Sequence, residues 1–198
     1  LLGQNEWAAR LPSALAYVGT GLLVFGLGRR FCPSRPWLPA LVWSLSPAPV
    51  IAANIVSTDP LLAFFDTLAM YAFVEARARD PVQSRRWYAL MWLGWGLAFL
   101  TKGPPALLPL LAAVLFVARH DRPRLRSVFV PSGLLLFAVV AFTWFGIVVA
   151  QHPGLLGYFL GNEVYDRVFT AAHDRNAQWY GAFEVYLPVL AVGMLPWT

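Results

Sequence analysis

The chain has 198 residues, of which 59% are hydrophobic, 15% aromatic and only 13% charged, with a formal net charge of +5. Soluble domains carry about a quarter charged residues and cannot hide several apolar stretches of about 15–23 residues in one domain's volume, so an ordinary soluble domain is excluded and the bilayer is the natural solvent. The basic balance does not point to nucleic acid, because most of the Lys and Arg residues fall in short turns between apolar runs.

The polar lead Gln4 to Pro12 enters a first apolar run over about 13–28, with Trp7 and Arg10 as interfacial anchors and Arg29-Arg30 at the end. Cys32, the single cysteine, excludes an intrachain disulfide. A second run covers about 36–55, and Pro47 and Pro49 remove two backbone donors, which predicts a kink or break there. Thr58-Asp59-Pro60 starts a third helix over about 60–76, with Thr or Asp as the cap and proline at the first helical position. A polar turn from Glu75 to Arg86 leads to a fourth run, 87–100, and Thr101-Lys102-Gly103-Pro104-Pro105 reverses the chain into a fifth, 104–118. After the basic turn Arg119 to Arg126, residues 128–150 form the cleanest span, about 34 Å of helix. A long loop, 151–182, precedes the final run, 183–198. The chain opens on Leu1 and stops inside an apolar stretch, so it reads as an internal piece of a longer polytopic protein.

Alternating the turns places Arg29, Arg30, Arg35, Arg77, Arg79, Arg85, Arg86, Arg119, Arg122, Arg124 and Arg126 on one side, and Arg10, Lys102, Arg167 and Arg175 on the other. Eleven cations against four put the arginine turns in the cytoplasm and the turns of Asp59, Lys102 and Glu163 to Arg167 on the outer face. The outer four lack a topological role and so become functional candidates.

The loop is rich in charge: Glu163, Asp166, Arg167, His173, Asp174 and Arg175. Between Pro153 and Thr170, Leu156, Phe159, Leu160, Val164 and Val168 recur at helical spacing, interleaved with the polar Asn162, Glu163, Asp166 and Arg167, which predicts a helix lying in the membrane surface. Glu163 and Arg167 at i,i+4 suit either an ordinary surface salt bridge or an arginine clamp on a phosphate. Asp59 is either a helix cap or a chemical carboxylate. Asp66, on the same face and about 10 Å deeper, needs either a hydrogen bond to a neighbouring helix or a wet interior. Lys102 either snorkels to the interface or binds a lipid phosphate as a point charge.

Five stretches carry a resemblance in register: Asn5 to Ser13, Thr58-Asp59-Pro60-Leu61-Leu62, Gly96 to Pro104, the Tyr158…Glu163…Arg167 loop, and Leu195-Pro196-Trp197-Thr198. In this order the chain resembles bacterial glycosyltransferases of the GT-C class, related to the aminoarabinose transferase of lipid A and to protein O-mannosyltransferases. The resemblance implies an all-α, polytopic membrane helix bundle with an interfacial helix in a long outer loop, the whole chain being part of one transmembrane domain. It implies transfer of a sugar from a polyprenyl-phosphate donor to a lipid, glycan or protein acceptor, at the outer face of a bacterial inner membrane. The main catalytic carboxylate is expected in a loop upstream of these residues. Asp59 then matches an auxiliary carboxylate, Lys102 and Arg167 the cations near donor phosphate, and Glu163 a supporting acidic residue. His173 matches only loosely. Metal use varies among such enzymes, so a divalent cation is left open and no ligands are assigned. Chemically, cations at headgroup level stabilise the departing lipid phosphate, and a carboxylate takes the acceptor's proton. The competing readings are a transporter or lipid flippase with a polar pathway through Asp59, Asp66, Lys102 and Arg167, and a non-catalytic scaffold presenting the loop.

Overall fold

The computed structural model describes residues 6–152, 154–158 and 180–198, and every regular element among them is helical. In order they are α1 (Glu6–Phe31), α2 (Leu38–Leu45), α3 (Pro47–Asn54), α4 (Asp59–Arg77), α5 (Pro81–Lys102), α6 (Leu108–His120), the single turn α7 (Leu125–Val128), α8 (Pro131–Gln151), α9 (Gly154–Tyr158) and α10 (Gly181–Gly193). Short 3-10 turns at Pro104–Leu107 and Arg122–Arg124 lead into α6 and α7.

Two of these helices, α1 and α8, are long and apolar enough to cross a membrane. Only 22% of the most apolar window of α1 and 11% of that of α8 are buried within the chain, the opposite of a soluble core helix. Leu135, Phe142 and Trp144 of α8 point outward, a surface that hydrocarbon suits and water does not. The polar lead before the first apolar run is itself helical from Glu6, so α1 starts earlier than its apolar content suggests, with Pro12 inside it and Arg10 paired to Glu6 across one turn.

The prolines divide the second run at Ser46. This residue is extended (φ −71°, ψ 133°) and separates two eight-residue helices, α2 and α3, because Pro47 cannot donate to the helix before it. The break is satisfied locally: the Ser46 hydroxyl donates to the Val42 carbonyl at 2.6 Å.

Helix α4 organises the rest. It runs parallel to α1 in a constant register: a methyl added to Gly19 would lie 2.6 Å from the Phe64 ring and one added to Gly26 2.7 Å from the Tyr71 ring. Both glycines lie seven residues apart, as do both aromatics, so one face of α1 supplies hollows for one face of α4. Against α5 it is antiparallel. Here the backbones nearly touch, since a methyl on Gly94 would lie 3.0 Å from the Ala69 nitrogen. Helix α8 lies parallel to α5, anchored by the Trp92 indole, which donates to the Val128 carbonyl at 2.7 Å, and by Phe99 packing on Phe137 and Phe142.

The buried core, with Ala69, Ala72, Phe73, Tyr88, Met91, Trp92, Trp95 and Val117, belongs to the lower part of this bundle. That end also carries the arginines. Glu75, buried to 6% side-chain exposure, accepts two hydrogen bonds of 2.9 Å from Arg30 and a further contact from Arg79, whose guanidinium lies 4.5 Å from the Trp87 ring centre. Arg77 pairs with Asp121 at 3.3 Å, and Arg124 donates to the Arg77 carbonyl. Glu75 therefore sits in the last turns of α4, within the expected 60–76 helix, and Arg30 and Arg79 of the arginine-rich turns are its structural partners.

Candidate functional site

The opposite end of α4 is where the sequence-derived candidates meet. The chain reverses in three residues between α4 and α5, so the first residue of α4 faces the last residue of α5. These are Asp59 and Lys102, and the Lys102 ammonium forms an ion pair with Asp59 Oδ1 across 43 positions of chain. Each charge also suits its helix end, an anion at the N-terminus of α4 and a cation at the C-terminus of α5.

Asp59 is the first helical residue. Thr58 occupies the cap position without a side-chain hydrogen bond, and Pro60 follows within the first turn. The capping explanation for Asp59 therefore gives way to the contact with Lys102. Its backbone N–H is satisfied by Ser57, whose hydroxyl accepts that hydrogen bond at 3.3 Å and lies 3.4 Å from Asp59 Oδ2 as a donor. Ser57 lies between the second and third predicted runs, and its only signal in the sequence is the polar Ser-Thr-Asp-Pro run at a helix start.

Lys102 ends α5 because Gly103 adopts φ +75°, a conformation that favours glycine, and its N–H closes the last turn on the Phe99 carbonyl. Nothing lies within 4 Å of the position a Cβ would take at Gly103. The ammonium is carried on a flexible four-carbon stem. Side-chain exposures of 44% for Lys102 and 55% for Asp59 class the contact as a solvent-accessible pair, worth about 0.2–1 kcal/mol.

Beside Asp59, α3 and α10 border an open groove of about 510 Å³. Ile51 of α3, Ile55 just after it, and Val189 and Val192 of α10 make its walls apolar, and Ser57 and Asp59 form its polar end. Deeper on α4, Oδ1 of Asp66 is buried without a hydrogen-bond partner among the described residues, so the interhelical hydrogen bond considered for it is not made by that oxygen. Glu163, Arg167 and His173, with the surface helix expected around them, lie outside the described residues. Among the described residues no three His, Cys, Asp or Glu side chains are grouped to hold a metal ion.

Comparison with known proteins follows the same lines. The chain is 32% identical over its whole length to the undecaprenyl phosphate-alpha-4-amino-4-deoxy-L-arabinose arabinosyl transferase of Edwardsiella ictaluri (strain 93-146), covering 36% of that protein. It is 26% identical, again over its whole length and 36% of the relative, to the protein of the same name from Yersinia pestis (strain Pestoides F). The chain thus spans about a third of the length of the curated relatives it matches. No solved structure matches it. The profile of the dolichyl-phosphate-mannose-protein mannosyltransferase family matches residues 1–147, some three quarters of the sequence and all of the α1 to α5 scaffold that pairs Asp59 with Lys102, and the chain belongs to that family.

Proposed function

We propose that the chain forms part of a membrane glycosyltransferase that moves a sugar from a polyprenyl-phosphate donor to a lipid, glycan or protein acceptor at the outer face of a bacterial cytoplasmic membrane. The observation that carries this reading is the meeting of Asp59 and Lys102 at one end of the α4–α5 pair, with the arginine-rich cluster at the other. Between Asp59 and Glu75 the helix rises about 24 Å, most of a hydrocarbon core.

In this reading Lys102 and Arg167 hold the donor phosphate and stabilise the charge that develops on it as the sugar leaves. Asp59 is an auxiliary carboxylate, with Glu163 and His173 as supporting residues of the loop. The groove between α3 and α10 supports the same assignment, since apolar walls suit an isoprenoid chain and the polar end holds the carboxylate that carries Lys102. The names of the relatives, which specify an undecaprenyl-phosphate-linked sugar, agree with a lipid-phosphate donor.

Turnover of the full-length protein with a polyprenyl-phosphate sugar donor tests the assignment. Lys102→Ala and Arg167→Ala are each expected to lower kcat by about 10²–10³-fold, as for removal of one group stabilising transition-state charge. Unchanged turnover in both variants removes the phosphate role.

A further inference from the structure

The ion pair that identifies the site also presents a difficulty for it. A cation that is to hold a phosphate is already holding a carboxylate. We propose that Asp59 is an internal competitor for Lys102, occupying the ammonium until the phosphate head of a polyprenyl-phosphate lipid displaces it. This rests on the reading of Lys102 as a phosphate ligand and adds the exchange that such a role requires.

Both partners are built to separate. Each is about half exposed, so an incoming anion reaches the pair without unpacking the bundle. The Lys102 ammonium ends a flexible four-carbon stem at the last residue of α5 and is about half exposed, so it can follow a ligand. Released Asp59 keeps the Ser57 hydroxyl and the favourable end of α4, and so is not left as an unsupported charge. Undecaprenyl phosphate, a monoester, brings more negative charge and more acceptor oxygens than a carboxylate, which favours it in the exchange; the sugar-linked donor, a diester, carries a single charge and competes less strongly. The pair at the other end of α4 shows what a permanent contact looks like. Glu75 is only 6% exposed and is gripped by Arg30 and Arg79 together, so its carboxylate is enclosed and doubly held even though Arg30 itself reaches solvent.

The test measures binding of undecaprenyl phosphate to the full-length protein in detergent. Asp59→Asn, which removes the competitor and keeps the shape, is expected to bind it about two- to fivefold more tightly than wild type, the strength of an exposed pair. Asp59→Glu keeps a carboxylate and should stay within about twofold of wild type. Lys102→Gln should weaken binding roughly tenfold or more, and adding Asp59→Asn to it should restore nothing. Undecaprenol, which lacks the phosphate, should not distinguish Asp59→Asn from wild type. If Asp59→Asn elutes or melts abnormally, Asp59→Ser takes its place with the same expectation. Wild-type or weaker affinity in the folded Asp59 variant overturns the exchange, as does an equal gain for undecaprenol. Lys102→Gln with unchanged affinity removes instead the phosphate role of Lys102, so the two failures are distinguishable.

Discussion

The two charged contacts of α4 show how burial decides what one residue type does. Asp59 and Glu75 are both acidic side chains near the ends of the same helix, and each meets a cation from a neighbouring helix. At Asp59 solvent reaches both partners, so the contact is weak and open to its surroundings. At Glu75 the carboxylate is enclosed and its hydrogen bonds tie α1 to α4 while Arg79 lies over Trp87 of α5. Removing it leaves two guanidinium groups without their anion, although Arg30 at 41% exposure can regain water. Glu75→Ala is therefore expected to cost about 1–3 kcal/mol, and Glu75→Gln less, since the amide oxygen still accepts one hydrogen bond. Chemical or thermal unfolding of the detergent-solubilised protein measures the order; equal stability of wild type and Glu75→Ala contradicts it. That Glu75 would be the member of its turn that mattered was not legible in sequence, because its partner Arg30 lies 45 positions away.

For the helices, small residues set the geometry of the site. Asp59 reaches Lys102 because α4 and α5 lie close enough for Gly94 to rest against the Ala69 backbone. A β-branched side chain has no space there. Gly94→Val is expected to force the two helices apart and to destabilise the bundle by about 1–3 kcal/mol, as overpacking does elsewhere. It should also weaken the Asp59–Lys102 pairing at a distance of more than one helical turn. A thermal melt together with a spin-label distance between the outer ends of α4 and α5 checks both parts; an unchanged melt and distance contradict the packing argument. Helix placement itself was largely legible. Apolar runs and prolines marked most of the helices, including the break at Ser46, because proline acts on its own backbone wherever the chain goes. The helical start of α1 at Glu6 was less legible, since its first turns lack the apolar content by which the run was recognised.

At the scale of the bundle, the ion pairs among the described residues gather at two ends. The described arginines of the turns near Arg30, Arg77 and Asp121 gather at one, and Asp59 and Lys102 occupy the other. With the arginine end in the cytoplasm, Ser57→Cys in a Cys32→Ser background should react with a membrane-impermeant maleimide in spheroplasts, while Arg85→Cys should react only after permeabilisation. The reverse pattern places the candidate site on the inner face and ends the proposed orientation.

By itself the sequence determined the apolar, helical class and the family resemblance, and it offered Asp59, Lys102 and Arg167 as candidates, because hydropathy, proline breaks and uneven cations are properties of local stretches. Only the tertiary structure decided that Asp59 and Lys102 touch, that Ser57 supports the carboxylate, and that Glu75 is a buried clamp. Those facts depend on which helices lie side by side and in what register. The register is set by where glycine and alanine let one helix approach another, and no single segment of the chain contains that information.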